Sequence, residues 1–149
     1  MNESDIAILR LATQGFCCAQ IMLHLALDHQ GLENPGLLRA MSGLCNGLDS
    51  HQGPCGVLTG GACLIAYYTG KGRAEEEASD QLPLLQHEFE EWFRQIAGTR
   101  FGGSRCADIV SDGRPDPQIC GGLLSEAFNH IAILLGENGF DLTESPEHD

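Results

Sequence analysis

The chain has 149 residues, enough for one domain that buries about two thirds of its unfolded surface without staples. Its formal charge of −13, from 21 acidic against 8 basic side chains, speaks against nucleic acid and anionic membranes as partners. The 7 cysteines are odd in number, so they cannot all pair within one chain. Residues 1–10 hold no basic stretch ahead of an uninterrupted apolar run, so no export signal is expected and the expected compartment is cytoplasmic. In that reducing setting a cysteine-rich chain points to metal or redox chemistry.

Ser4 and Asp5 can cap a first helix whose apolar positions Ile6, Leu9 and Ala12 follow helical spacing, with Gly15 as its interruption. A second helix is expected over about Cys17 to His29, because Cys18, Ile21, Met22 and Leu25 fall at i, i+3, i+4 and i+7. Cys18 shares that inward stripe, Cys17 is rotated about 100° towards the boundary, and Gly31 ends the helix. Asn34 and Pro35 are a good N-cap and first-turn pair for a short helix carrying Leu37, Leu38 and Met41 and ending at Gly43. The loop from Leu44 to Gly53 follows; it delivers Cys45 and His51 towards Cys55, and its glycines and Asn46 suit positive φ.

From Cys55 to Tyr68 the chain is apolar or small on every side, so neither period 3.6 nor period 2 leaves a face for water. This is the expected central helix, about residues 55–68, and at 14 residues it falls short of the ~20 that cross a bilayer. Gly56 and Gly60 give it one face on which another backbone can approach closely. Cys55 at its start feels the positive end of the helix dipole, which favours thiolate, whereas Cys63 sits among Leu64, Ile65 and Ala66 as a small core residue.

After the Gly70–Arg73 turn, Ala74 and Glu75 to Glu77 read as the acidic start of another helix, restarted at Pro83. Leu85, Phe89, Trp92 or Phe93, and Ile96 form its apolar face, with both aromatics read as core. A glycine-bearing loop over 98–103 leads to a short helix over 104–110 with Cys106 in its first turn. Arg94, Arg100, Arg105 and Arg114 crowd around Cys106, and surface pairing with nearby acids is the simpler account of them. Cys120 opens the last helix, whose inner face carries Leu123, Leu124, Ala127, Phe128, Ile131 and Leu134 or Leu135. No stretch alternates at period 2, so the expected fold is an all-α single-domain bundle: a helical domain over 1–136 and an acidic tail over 137–149, with Pro146, that is expected to be frayed along its length.

Cys55, Cys106 and Cys120 each stand at or near a helix start behind a loop rich in Gly or Pro. Three such helix starts turned to one point suit thiolates and the sulfides of an anionic cluster, with Cys18 as a fourth ligand and Cys45 or His51 as further candidates. The sequence has no Cys-x-x-Cys, which removes thioredoxin-like and zinc-ribbon spacings, and no Cys-x-x-Cys-His, so c-type haem is not expected.

Gly15-Phe16-Cys17-Cys18-Ala19-Gln20, Cys55-Gly56-Val57-Leu58-Thr59-Gly60, Gly103-Ser104-Arg105-Cys106 and Cys120 together resemble the C-GCAxxG-C-C family, whose cysteines are ascribed a redox role. The resemblance implies that the family's four cysteines are Cys18, Cys55, Cys106 and Cys120. Val57 replaces the usual alanine, and Cys17, Cys45 and Cys63 are additional to the pattern. It extends to the amino-terminal part of split-Soret cytochrome c, which implies that an iron–sulfur site and a homodimer are to be looked for.

The expectation is therefore a small redox protein holding an iron–sulfur cluster for electron transfer to an unidentified partner protein. The alternatives are a metal-free thiol/disulfide protein and a non-catalytic module with structural zinc. No paired carboxylates beside a histidine, no Ser-His-Asp set and no phosphate loop are evident, so a stand-alone enzyme is the weaker reading.

Overall fold

The structure is a computed structural model that describes residues 2–110 and 112–144. Among the described residues it is helical throughout: α1 (Glu3–Thr13), α2 (Cys18–Gln30), α3 (Pro35–Met41), α4 (Gly56–Thr69), α5 (Leu82–Phe101), α6 (Cys106–Ile109) and α7 (Pro117–Glu137). A 3₁₀ turn over Ser42–Leu44 and a π-type turn over Gly47–His51 join α3 to α4. The all-α class and the central position of α4 follow the sequence expectation.

Local signals explain most of the helix ends. Asn34 accepts a hydrogen bond from the Leu37 N–H, with Pro35 in the first turn, and Gly31 ends α2 at φ 66°. The cap of α1 is Asn2, not Ser4 or Asp5; Asn2 accepts from the Asp5 N–H while the Asp5 carboxylate accepts from the Asn2 N–H, a reciprocal capping box. The helix expected at Ala74 to Glu77 does not form. Three adjacent glutamates offer no apolar face to bury, and the Glu76 carboxylate instead closes a turn by accepting from the Gly72 and Arg73 N–H groups. The last helix begins at Pro117 with Asp116 as its cap, three residues ahead of Cys120.

Helix α4 is buried along most of its length because its neighbours use its glycines. A Cβ on Gly60 would lie 2.8 Å from the Ala19 Cα, and one on Gly56 would lie 3.2 Å from the Cys18 Cβ, so α2 lies directly on this face. That face is therefore not open to a second chain. Gly61 points the other way, where a Cβ would collide with the Phe89 ring of α5 and reach within 3.0 Å of Ile131 of α7. Phe89, Phe93 and Ile131 are fully buried there, and Trp92 stacks on His130 with ring centroids 4.1 Å apart.

Helix α7 is apolar and long enough, by length and composition, to cross a bilayer, but its apolar side packs against α1, α2, α4 and α5 as a core helix. Residues 138–144 turn back over the bundle: Phe140 and Leu142 pack against the core, the Tyr68 hydroxyl donates to the Leu142 carbonyl at 2.7 Å, and Gln30 donates to the Glu144 carbonyl at 2.8 Å. Pro146 lies outside the described residues.

Two glycine substitutions should separate packing from propensity. Gly60→Ala forces α2 off α4 and is expected to cost ~1–3 kcal/mol. Gly98→Ala, in α5 with no heavy atom within 4 Å of the new methyl, is expected to stabilise by ~0.4–1 kcal/mol. Urea midpoints at constant slope are the readout.

Candidate functional site

Two distant segments meet in a short antiparallel bridge between Pro54 and Arg105. The Cys55 N–H donates to the Ser104 carbonyl at 2.9 Å and the Cys106 N–H donates to the Gly53 carbonyl at 3.1 Å. This pair of hydrogen bonds sets the residue that caps α4 beside the residue that starts α6. The loop over 45–53 then folds onto Cys106. A Cβ on Gly47, at φ 59°, would come within 2.8 Å of the Cys106 Cβ, and one on Gly53 would come within 2.8 Å of the Gly47 carbonyl oxygen. Both positions therefore require glycine.

The remaining two cysteines arrive on other helices. Cys18 is the first residue of α2, held there by the α2–α4 contact at Gly56, and it lies beside Cys120 in the first turn of α7. Cys18, Cys55, Cys106 and Cys120 thus line one cavity of about 20 Å³, closed by Asn46, Gly56, Ile109, Val110 and Pro115. Among the described residues, no carboxylate, lysine or arginine lines it. The four cysteines singled out by sequence are brought together, and all four stand at a cap or in the first turn of a helix.

Their electrostatics differ from the sequence expectation. Helix-start geometry predicts an acidified Cys55, yet burial pushes this thiol up to about 11. The Val57 and Leu58 N–H groups oppose the burial without overcoming it, and the neighbouring Cys120 and Cys106 add to it. Cys106 is raised by burial and by Cys120. Cys18 is raised well above the ordinary thiol value, first because its S–H is held by Cys120, then by burial and by the other three sulfurs. Cys120 moves the other way, to about 7, because Cys18 donates to its thiolate and this outweighs burial. The cluster thus favours one thiolate among four sulfurs, with Cys18 and Cys120 sharing a proton.

His51 lies beside the cluster, its Nδ1 3.3 Å from the Cys106 Sγ. It is held there by an unusual loop in which Asn46, Leu48, Asp49 and His51 all have positive φ, between 56° and 65°. The glycines and Asn46 of this loop were readable as left-handed positions; Leu48, Asp49 and His51 carry no such signal. Cys45 does not line the cavity. It forms a disulfide with Cys17, with Cα atoms 6.0 Å apart. Cys63 is half-buried on α4 and its thiol is raised by burial, in keeping with a packing role.

Three of the four arginines near Cys106 are held in ion pairs: Arg94 with Glu90 and Arg100 with Glu126 at exposed positions, and Arg105 with the half-buried Asp108. Among the described residues, no group of three or more His, Cys, Asp or Glu side chains is arranged to hold a metal ion as it stands.

A sequence profile for the family described as "Putative redox-active protein (C_GCAxxG_C_C)" matches residues 16–134, a span that holds all four cavity cysteines. No curated protein and no solved structure matches the chain.

In metal-free protein, alkylation followed by peptide mapping should find Cys120 the fastest of the four, with a midpoint near 7 and Cys55 silent until far higher pH. Cys18→Ala is expected to move the Cys120 midpoint up towards the ordinary thiol value, because alanine has no proton to donate to the thiolate. The sign for stability follows from the same shift. A depressed folded-state value contributes stability above the unfolded value near 9 and loses it as pH falls through about 7.

Proposed function

The chain belongs to the C_GCAxxG_C_C family of redox-active proteins, and from that premise we propose that its four-cysteine cavity holds an iron–sulfur centre for electron transfer to a partner protein in the cytoplasm. One observation carries this reading: four thiols from four separate helix starts converge on a cavity that, among the described residues, no other ionisable side chain lines.

The donor set fits the group in kind and number. Four thiolates are the usual ligands of such clusters, and soft sulfur selects iron–sulfur or zinc over hard cations. The raised values of Cys18, Cys55 and Cys106 support the reading from another side. Burial holds Cys55 and Cys106 up and neighbouring sulfurs add to it, and a cation at the centre would offset both by stabilising thiolate. Size is the constraint. About 20 Å³ is scarcely more than one water-sized space, so cluster binding needs the thiols to turn inward and the wall at Ile109, Val110 and Pro115 to yield.

When bound, the centre supplies one-electron chemistry. The chain's own residues provide the rest: Cys18, Cys55, Cys106 and Cys120 as ligands, His51 to hold the Cys106 sulfur in place, and the Val57 and Leu58 N–H groups to offset charge at Cys55.

A second reading is favoured by the placement of Cys18 beside Cys120, both lining the small cavity and the open cleft. Without metal, these two thiols can form a disulfide, releasing two electrons and two protons to an oxidising partner.

Iron and acid-labile sulfide measured on protein prepared without oxygen distinguish the readings. The expected result is a coloured protein with charge-transfer bands, whose iron is lost in Cys55→Ser and kept in Cys63→Ser. A colourless, metal-free protein that loses two thiols at Cys18 and Cys120 on mild oxidation establishes the second reading instead. Zinc by elemental analysis would assign the site a structural role.

A further inference from the structure

Three cysteines lie outside the four-thiol cavity, and two of them, Cys17 and Cys45, are joined. Their surroundings are unequal. Cys45 is 6% exposed, belongs to the core, and has its Sγ 3.7 Å from the Met41 carbonyl. Cys17 is half-buried and lines a cleft of about 630 Å³ between α1 and the start of α7, the size of an ordinary small-molecule site (~300–1,000 Å³).

The cleft is apolar on most sides, with Ile8, Leu9, Ala12, Phe16 and Leu124 among its walls, and among the described residues Asp5 is the one carboxylate on it. Gly15, Gly121 and Gly122 keep it open; a Cβ on any of them would meet nothing within 4 Å. A disulfide with one sulfur on an open cleft and the other in the core can be approached from one side only. Access and the choice of sulfur are what govern exchange.

We propose that Cys17–Cys45 is a second, exchangeable redox site, and that its reductant is a small thiol without negative charge that enters this cleft and attacks the Cys17 Sγ. The incoming thiolate forms a bond to Cys17 as the Cys17 to Cys45 bond breaks. Cys45 leaves as a thiolate into the core pocket and takes up the proton that the incoming thiol has lost. A second thiol then attacks the mixed disulfide at the sulfur of the first, forming the small-molecule disulfide and freeing Cys17. Two electrons and two protons pass from two thiols to the protein. The apolar walls and the Asp5 carboxylate set the preference against anionic thiols.

Protein prepared without reductant, denatured with a chelator and alkylated, should show five of its seven cysteines modified and a linked Cys17–Cys45 peptide. 2-Mercaptoethanol should open the link in the folded protein faster than 3-mercaptopropionate at matched thiolate concentration. Gly122→Leu, which fills the cleft and changes no cysteine, should slow that opening by about tenfold. In Cys45→Ala, hydroxyethyl disulfide should load Cys17; in Cys17→Ala, Cys45 should stay unmodified while the protein is folded. Seven free thiols before any reduction, a Gly122→Leu protein reduced as fast as the parent, or an adduct on Cys45 in folded Cys17→Ala would each overturn the proposal. The linked Cys17–Cys45 peptide, the opening rates and the adduct positions are all read without iron, so the failure of the four-cysteine reading leaves them unaffected; a Cys18–Cys120 disulfide would lower only the total count, from five to three.

Discussion

The site depends on two backbone hydrogen bonds, Cys55 N–H to Ser104 and Cys106 N–H to Gly53. Helix α6 has four residues, too few to form by itself, since a nucleus of one turn fixes several dihedrals for a single hydrogen bond. Its Arg105 to Asp108 ion pair is exposed on the arginine side and adds little. What positions Cys106 is the bridge on one side and the Gly47 contact on the other. The bridge in turn needs a rigid base, which α4 supplies because α2, α5 and α7 all pack on it. The glycines of the 45–61 segment therefore serve one end: Gly47 and Gly53 seat the loop on Cys106, while Gly56, Gly60 and Gly61 let α2, α5 and α7 close around α4.

Burial and hydrogen bonding among the sulfurs outweigh the helix dipole in this cluster. Cys55 caps a helix of 14 residues and still has a raised value, whereas Cys120, within the first turn of its helix, has a lowered one. The difference lies in what each sulfur touches. Cys120 receives a thiol proton from Cys18; Cys55 receives backbone N–H groups but is more deeply buried and has two other sulfurs near it. A dipole contributes a fraction of a charge over one turn and is worth ~0.3–1 kcal/mol at exposed sites, which full burial of a thiolate exceeds.

Most of the fold was legible in the sequence because its determinants are local. Asn34-Pro35, Gly31 and the stripe from Leu85 to Ile96 each declare a boundary or a face within a few residues. The error at Ala74 to Glu77 has a local cause as well: acidic residues suit a helix start, but without an apolar face they have nothing to pack. The site was legible in part. Spacing alone is a weak signal for cysteines from four segments; the helix-start positions of Cys55, Cys106 and Cys120 and the inward stripe of Cys18 suggested the group, and the resemblance to a four-cysteine pattern pointed to the same four. The Cys17–Cys45 bond and the His51 to Cys106 contact had no such aid. Each depends on where the 45–53 loop lands, and that is fixed by glycine contacts with Cys106 and by positive φ at Leu48, Asp49 and His51.

Cys18 and Cys120 line both the small cavity and the large cleft, together with Asn46 and Pro115. Among the described residues they are the only ionisable side chains common to the two spaces, so this thiol pair forms part of the wall between buried sulfur and the open groove. Cys17, the residue before Cys18, carries that wall on to the disulfide. A change in proton or charge at Cys55 or Cys106 acts on Cys120 and Cys18 through the interactions that set their values, and these two sulfurs are exposed to whatever occupies the cleft. The chain thereby places a closed four-sulfur site and an open two-sulfur site on opposite sides of one thiol pair.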